Sequence, residues 1–395
     1  MELKVEGLHP PCADGRYGVT ARGFAAASLY WADRDGPLTD WTALAHLPLD
    51  ASGQACFLYT GGRAIPPGAT HVAATLTTAD RQRQELLLTP LPEGSAAPDL
   101  TADVTFAVMS DLHMASKPGR IRRALCHAAD ADCILLPGDL TNDAAPEQFA
   151  ELWRLIEAVC PDTPLLAVCG NHDLPAAPLP MVWQGIDHYA AFQDALLHRA
   201  EGLGVRCTAD ECGAYSAVFR GIGIFGLNAV SHWRRFTFPA GMQLDWLRAQ
   251  LDRHADGRIV LCHAPLVRHN PQRGAGASAY LNRDAQLQRI IDDAGRVIFL
   301  SGHTHVSLNE GVGCAEYDAG RGNLYLNDAS ITPTLPCRDE PLPDREWTDG
   351  AVCRLALNAS GVEIRARCLS SGKWIARGYY QYNIRMMRGM QVGSV

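Results

Sequence analysis

The strongest constraint on the fold is a series of five short apolar segments, each followed at once by a turn that carries Asp, Asn or His. The segments have the length of buried strands, and they are residues 104–109, 133–136, 165–168, 259–262 and 297–300. Segments with the apolar spacing of helices lie at residues 120–129, 146–159, 242–254 and 284–294. Alternation of this kind predicts an α/β fold in which helices pack on a partly parallel sheet.

The turns after these strands carry residues that can bind metal ions. In open α/β sheets, ligands bind beyond the carboxyl ends of the strands, so polar side chains from all five ends are expected to meet. In an extended chain, residues i and i+2 point the same way, which would direct both members of an Asp-x-His or His-x-His pair at one centre. The candidate residues are Asp111, His113, Asp139, Asn171, His172, Asp173, His263, His303 and His305.

The chemistry of this set favours two metal ions over one. Without His172 and Asp173, the set holds two carboxylates, one amide oxygen and four imidazoles, a mixture of oxygen and nitrogen ligands that suits Mn, Fe, Zn, Co or Ni. Each motif alone is weak evidence, because Asp-x-His is common and His263 by itself would be an ordinary core histidine. The five motifs together, in one order and each after an apolar strand, indicate a metal site.

The first hundred residues show a different pattern. Short β-prone segments at residues 24–31, 54–59 and 70–78 are separated by clusters of Gly, Pro and Asp. This rhythm predicts a small β-sandwich over residues 1–95 and resembles an immunoglobulin-like or fibronectin type III module. Residues 91–103 have the composition of a linker.

The last part of the chain returns to β segments. They lie at residues 324–327, 352–357 and 362–368, and they are expected to complete a second sheet or to form a separate small domain. Residues 381–395 are expected to be a C-terminal tail.

Composition argues against several classes of protein. The 395 residues are 47% hydrophobic, which provides enough apolar surface for a core and excludes general disorder. The net charge of −8 argues against a nucleic-acid binder that works by broad phosphate contacts. No apolar stretch approaches the roughly 20 residues of a membrane span, and the N-terminal residues lack the pattern of a secretory signal. We therefore expect a cytoplasmic protein without membrane or nucleic-acid partners.

The order of the motifs resembles the calcineurin-like metallophosphoesterase superfamily, whose series is D-x-H, G-D, G-N-H-[DE], H and G-H-x-H. The resemblance covers roughly residues 103–330, and with the later β segments it implies a domain over residues 103–380. It also implies a four-layer αββα sandwich that holds two divalent metal ions, with Mn or an Fe/Zn pair favoured.

Carried over residue by residue, the resemblance implies two metal positions that share one carboxylate. The first would be held by Asp111, His113, Asp139 and His305, and the second by Asp139, Asn171, His263 and His303. A hydroxide that bridges the two metals would attack phosphorus in line. His172 would contact the phosphate or protonate the leaving group, with Asp173 or a backbone group orienting it.

Differences from two branches of the superfamily narrow the substrate. The segment 138–144 lacks the arginine of the phosphoprotein phosphatase motif, and Asn142 stands where purple acid phosphatases have a tyrosine ligand. The chain looks most like the cyclic-nucleotide-phosphodiesterase-like branch, which implies a phosphodiesterase for a small phosphorylated substrate. Arg268 and His269, in the loop after His263, are candidate substrate contacts.

Several alternatives stay open on sequence alone. A phosphomonoesterase of nucleotides or sugar phosphates would use the same metal chemistry, and so would a nuclease, although the acidic composition argues against the latter. A non-catalytic binding module would be favoured by the loss of a ligand, and all seven ligands are present. The oligomeric state is open, with a homodimer as one option.

Overall fold

The computed structural model describes residues 1–7, 15–33, 41–59, 63–115, 118–174, 187–232, 235–238, 242–254, 257–271, 280–306, 314–327, 330–332, 350–370 and 372–382. Within these residues the chain forms five α-helices and 22 strands. None of the helices described is both long and apolar enough to span a bilayer.

Seven strands form the N-terminal part of the chain and pack as two sheets. They are β1 (Glu2–Glu6), β2 (Gly15–Thr20), β3 (Ala26–Ala32), β4 (Thr42–Pro48), β5 (Gln54–Tyr59), β6 (His71–Thr77) and β7 (Gln84–Pro90). Strands β1, β2 and β5 form one sheet, whereas β4, β3, β6 and β7 lie at one end of a ten-stranded sheet. Trp31 packs edge-on against Tyr17 and Tyr59 at ring distances of 5.6 and 5.5 Å, so aromatic contacts help to fill the core between the two groups of strands. The strand-rich N-terminal region expected from the sequence is present.

Strands and helices alternate after residue 103. The strands are β8 (Val104–Val108), β9 (Cys133–Leu136), β10 (Leu165–Ala167), β11 (Arg206–Ala209), β12 (Tyr215–Phe219), β13 (Ile222–Leu227), β14 (Val230–His232), β15 (Arg235–Thr237), β16 (Arg258–Cys262), β17 (Val297–Ser301), β18 (Ala315–Asp318), β19 (Asn323–Asn327), β20 (Ala351–Leu357), β21 (Val362–Cys368) and β22 (Trp374–Tyr382). The helices are α1 (Pro118–Ala128), α2 (Pro146–Val159), α3 (Asp187–Gly202), α4 (Met242–Arg253) and α5 (Asp284–Ala294).

Two large sheets organise this part of the chain. The first has the order β10-β9-β8-β20-β21-β22-β4-β3-β6-β7, in which β8, β9 and β10 are parallel. Strand β22 pairs with β4, with Ile375 opposite Ala43, and joins the N-terminal strands to the rest of the sheet. The second sheet has the order β11-β12-β13-β16-β17-β19-β18, and β13, β16, β17 and β19 run parallel.

The two sheets pack face to face and are covered by helices on their outer sides. Strand β8 illustrates this packing, because successive residues point to opposite faces of its sheet and so enter two different cores. Phe106 and Val108 belong to the core between the sheets, whereas Ala107 packs with helices α1, α2 and α3. Helices α4 and α5 cover the second sheet in the same way. The four-layer sandwich predicted from the sequence is confirmed.

The C-terminal β segments are divided between the two sheets. Strand β19 extends the second sheet, as predicted. Strands β20 and β21 instead join the first sheet, where β20 pairs antiparallel with β8 and Leu355 lies opposite Phe106. That part of the prediction is wrong, because apolar spacing shows which faces of a strand are buried but does not show which strand is its neighbour.

Candidate metal centre

The five predicted strand ends meet at one edge of the sandwich, but they come from two sheets rather than one. Strands β8, β9 and β10 belong to the first sheet, and β16 and β17 belong to the second. The Asp111 N–H donates to the Gly138 carbonyl at 3.1 Å, and the Gly302 N–H donates to the His263 carbonyl at 3.0 Å. The His303 N–H donates to Asp111 Oδ1 at 3.2 Å, so a hydrogen bond links the turns of the two sheets.

Four side chains form a first cluster, and their ligand atoms lie within 4.8 Å of one another: Asp111, His113, Asp139 and His305. His113 Nε2 is 3.2 Å from His305 Nε2 and 3.7 Å from Asp139 Oδ2. His305 Nε2 is 3.5 Å from Asp111 Oδ1. Both carboxylates are 1% exposed, whereas the imidazoles of His113 and His305 are 14% and 19% exposed, so the cluster opens to solvent on its histidine side.

Asp139 also belongs to a second cluster, with His263 and His303. His263 Nε2 is 3.3 Å from Asp139 Oδ2, and His263 Nδ1–H donates to the Pro137 carbonyl at 2.7 Å. This hydrogen bond to Pro137 fixes the ring so that Nε2 faces the carboxylate. One carboxylate with two oxygens therefore serves both clusters.

Two buried ligand atoms have no hydrogen-bond partner among the residues that the structure describes. They are Asn171 Oδ1 and His263 Nε2, both of the second metal position implied by the resemblance. An unsatisfied buried polar atom costs about 1–3 kcal/mol, and a cation would satisfy both. The residues therefore fit a pair of divalent cations, and their oxygen and nitrogen donors suit Mn, Fe or Zn.

The backbone is strained where the ligands lie. Nine non-glycine residues of the described part have positive φ, and five of them are candidate ligands, at φ values from 47° to 71°. These five are Asp111, His113, Asp139, His303 and His305. Such conformations cost about 1–3 kcal/mol each and cluster at functional sites. The expected extended geometry is therefore wrong, because each pair converges through left-handed residues and not through the alternation of a strand.

Two glycines allow the turns to approach one another. A Cβ atom on Gly138 would lie 2.5 Å from His263 Nδ1, and Gly138 has a φ of 93°. A Cβ atom on Gly170 would lie 2.1 Å from Asp139 Oδ1 and 2.4 Å from Asp139 N. Real Cβ atoms do not come so close, so both positions require glycine.

Gly170→Ala is expected to remove metal binding and to lower the free energy of unfolding by about 1–3 kcal/mol, because the methyl group displaces the Asp139 carboxylate. The measurements are thermal unfolding and metal content after gel filtration. Gly202→Ala is the matched control, since no atom lies within 4 Å of its added Cβ. A Gly170→Ala protein with the metal content of the wild type would contradict the prediction.

Burial and mutual attraction set the charges of the cluster. Burial lowers the pKa of His113 to about 4 and the pKa of His303 to about 3, so both rings are neutral at pH 7 and offer lone pairs. Burial also disfavours charge on His263 and Asp139, but their attraction outweighs it. The pKa of His263 rises to about 9, and the pKa of Asp139 lies well below its usual range. Asp139 is therefore a carboxylate, the form that binds a cation. His263 is an imidazolium at pH 7 for the same reason, so a cation bound through Nε2 would take the place of its proton.

His172 is held beside the first cluster by two contacts. Its backbone N–H donates to Asp139 Oδ1 at 2.9 Å, and its Nδ1–H donates to the Asn142 carbonyl at 2.6 Å. Its ring lies 4.6 Å from the ring of His113, nearly perpendicular to it. From the sequence, either Asp173 or a backbone group was expected to orient His172. The structure shows a backbone group in this position, the carbonyl of Asn142.

Asp173 has a different environment from the one expected. Its carboxylate is 1% exposed and accepts hydrogen bonds from the backbone of Gly170 at 2.9 Å, Leu140 at 3.1 Å and Thr141 at 2.7 Å. Because these donors occupy its oxygens, Asp173 ties the turn after β9 to the turn after β10. Its contacts are those of a positioning residue, not of a group that touches substrate.

The sequence profile of calcineurin-like phosphoesterases matches residues 104–307, the part of the chain that carries all five motifs. The chain belongs to the calcineurin-like phosphoesterase family. It is therefore a hydrolase that acts on phosphoester bonds, and the family predicted from the motif series is confirmed. No curated protein sequence matches the chain.

Solved structures of three phosphoesterases are similar to this one. The match to a purple acid phosphatase from yellow lupin (Lupinus luteus) has 12% identity and a TM-score of 0.48, and covers 99% of this chain and 77% of that one. The match to a 5′-nucleotidase from Candida albicans has 12% identity and a TM-score of 0.34, and covers 66% of this chain and 53% of that one. The match to the phosphoesterase Yfce from E. coli has 13% identity and a TM-score of 0.30, and covers 71% of this chain and 99% of that one.

The structure does not bring Arg268 and His269 of this phosphoesterase into the ligand clusters. They line a cleft of about 820 Å³ with Glu316, Tyr317, Asp318 and Arg321, and no candidate ligand lines that cleft among the described residues. His269 Nδ1 lies 2.7 Å from Glu316 Oε2, and its ring stacks on Tyr325 at 3.5 Å. Their assignment as substrate contacts stays a prediction.

The aromatic residues around His303 were not predicted from the sequence. The Phe236 ring is 5.0 Å from the His303 ring and the Tyr280 ring is 4.6 Å away, both nearly perpendicular to it. The two residues come together because β15 forms a bridge between Phe236 and Leu281. No short motif marks such a contact, so only the tertiary structure could show it.

A buried amide that supports the turn after β10 was also missed. Asn228 is 0% exposed, and its Oδ1 accepts the Cys169 N–H at 2.8 Å. Its Nδ2 donates to Gln193 at 2.7 Å, and its backbone N–H donates to Gln243 Oε1 at 2.8 Å. Three buried amides thus fix the backbone of Cys169, which lies two residues before Asn171.

Proposed function

We propose that this phosphoesterase hydrolyses phosphodiester bonds of small molecules at a two-metal site. The single observation that carries the proposal is the pair of ligand clusters that share Asp139. Two buried atoms of proposed ligands, Asn171 Oδ1 and His263 Nε2, have no hydrogen-bond partner among the described residues, which supports it. The proposed ligands are Asp111, His113, Asp139, Asn171, His263, His303 and His305. Two divalent cations, Mn or an Fe/Zn pair, would supply the nucleophile by lowering the pKa of a shared water and would offset charge on the phosphoryl oxygens.

The charge around the clusters supports a diester rather than a monoester. Within the described residues, the ion pairs of Asp111 and Asp139 are all with histidines. A phosphomonoester carries between one and two negative charges at pH 7 and gains most from an arginine that binds its oxygens in pairs. A diester carries one negative charge and needs such a clamp less.

His172 is the proposed catalytic acid. Because a carbonyl oxygen only accepts hydrogen bonds, the contact with Asn142 places a proton on Nδ1 and keeps the ring in one orientation. Nε2 is then the atom that can deliver a proton to the leaving oxygen. Asp173 is proposed to position this turn through the backbone of Gly170 and Thr141.

We expect the manganese-loaded protein to hydrolyse bis(p-nitrophenyl) phosphate at least ~10-fold faster than p-nitrophenyl phosphate, because the ion pairs of Asp111 and Asp139 in the described part of the chain involve histidines and no arginine. The rates of p-nitrophenolate release at equal substrate concentration provide the measurement, with Asp139→Ala as the blank. Asp130→Ala is a matched control, since Asp130 pairs with Arg354 on the surface. A preference for the monoester would favour a phosphomonoesterase, and no activity above the blank on either ester would contradict the proposal.

The domain boundaries are also proposed. We infer a β module over residues 1–95, a phosphoesterase domain over residues 103–380 and a tail over residues 381–395. The gap between β7, which ends at Pro90, and β8, which begins at Val104, supports the first boundary. Strand β22 runs to Tyr382 and includes two residues of the inferred tail, whereas residues 383–395 lie outside the described residues.

A further inference from the structure

A short segment outside the family-matched region packs against the first cluster. Residues 330–332 follow β19, whereas the match to the family ends at residue 307. Ser330 forms a parallel bridge with Ser110, the residue before Asp111, and the Ile331 N–H donates to the Ser110 carbonyl at 3.2 Å. Ile331 is 0% exposed, so the segment is anchored in the core beside the end of β8.

Thr332 contacts two candidate ligands of the first cluster at once. Its hydroxyl donates to the Asp111 carbonyl at 2.7 Å. Its own carbonyl accepts a hydrogen bond from His305 Nδ1–H at 3.0 Å. Asp111 follows β8 of the first sheet and His305 follows β17 of the second, so this one residue joins ligands that are contributed by different sheets.

The two contacts prepare both side chains for a cation. The carbonyl of Thr332 keeps the proton of His305 on Nδ1, which leaves Nε2 as the ligand atom facing Asp111. The hydroxyl holds the Asp111 carbonyl while Asp111 has a φ of 54°, a conformation that costs free energy unless neighbouring groups support it. His263, of the second cluster, is oriented instead by Pro137, and the two candidate ligands that Thr332 contacts among the described residues both belong to the first cluster.

We propose that Thr332 is a positioning residue for the first metal position, which it preorganises by holding the Asp111 backbone and the His305 ring. This inference rests on the proposed function, because it assumes that the first cluster binds a cation. The hydroxyl is the part of Thr332 that a substitution can remove, since the contact with His305 uses the backbone.

The test compares Thr332→Val, which has nearly the same shape without the hydroxyl, with Thr332→Ser, which keeps it. Isothermal titration of the metal-free proteins with Mn²⁺ is expected to show two ions bound per wild-type chain. Thr332→Val should weaken one of the two by about 10- to 100-fold and leave the other unchanged, as is typical when a group that orients a ligand is lost. Thr332→Ser should restore the wild-type affinity.

Thr163→Val is the matched control, because the Thr163 hydroxyl also donates to a carbonyl, that of Ala129 at 3.4 Å, without contacting a ligand. Thr332→Ala serves as a smaller second variant if the valine protein does not fold. Two wild-type Mn²⁺ affinities in Thr332→Val, with only the melting temperature lowered as in Thr163→Val, would overturn the inference. A wild-type protein that binds no Mn²⁺ would overturn the proposed function instead.

Discussion

Asp139→Asn is expected to remove both metal ions and to slow phosphoester hydrolysis by at least ~10⁴-fold. Asp139 is the residue that both clusters contain, and its Oδ2 lies 3.7 Å from His113 Nε2 and 3.3 Å from His263 Nε2. An amide has no charge with which to hold two cations. Asn keeps the shape of the side chain and the oxygen that accepts the His172 N–H at 2.9 Å, so it disturbs the fold less than Ala would.

The comparison with Asp111→Asn makes this prediction specific. Asp111 belongs to the first cluster alone, so its substitution is expected to remove one ion and to leave the other. The ions per chain are counted by inductively coupled plasma mass spectrometry after gel filtration, with thermal unfolding as the check on folding. One ion retained by Asp139→Asn would show that Asp139 does not bridge the two positions. Both ions lost by Asp111→Asn would show that Asp111 does not serve the first position alone.

The sequence predicted which Asp and His side chains would cluster, because each motif lies at the end of a strand. Each apolar segment is followed within three residues by an Asp, Asn or His, and the carboxyl ends of parallel strands face the same edge. The sequence could not show that β16 and β17 lie in a different sheet from β8, β9 and β10. It also could not show the left-handed backbone of Asp111 or His303, because side-chain identity does not fix φ at non-glycine residues.

Helices were predictable where apolar residues and end signals agree. The bounds predicted for α2 and α5 are those found, Pro146–Val159 and Asp284–Ala294. Helix α3 was not predicted, although Tyr189, Phe192 and Leu196 recur at helical spacing and are buried. The pattern was present in the sequence, but a buried glutamine on the same face, Gln193, made it less distinct.

The contacts that support the candidate ligands could not be predicted from the sequence, for a general reason. Thr332 and Asn228 act through a backbone carbonyl or a buried amide, and residues of these types are common at ordinary surface and turn positions. Their effect depends on partners more than 50 residues away, such as Asp111 for Thr332 and Cys169 for Asn228. The ligands of a metal site can therefore be read from motifs, while the groups that orient them require the folded chain.

His172→Ala is expected to keep both metal ions and to slow hydrolysis by about 10²–10⁴-fold for diesters whose leaving group is an alkoxide. The size of the effect should depend on the leaving group. A p-nitrophenolate leaves without a proton, so bis(p-nitrophenyl) phosphate should be hydrolysed at close to the wild-type rate. The measurement is kcat for two diesters that differ only in this group, with His188→Ala, an exposed histidine on α3, as the control.

The same pair of substrates separates the two roles that the resemblance implies for His172. An acid protonates the leaving oxygen, so its loss slows hydrolysis only when that oxygen needs a proton. A residue that binds the phosphate contacts oxygens that both diesters share, so its loss would slow both equally and raise KM. The Asn142 carbonyl favours the first role, because it fixes the proton on Nδ1 and leaves Nε2 as the exchanging atom. Equal slowing of both esters would assign His172 to phosphate binding and leave the leaving group to be protonated by another source.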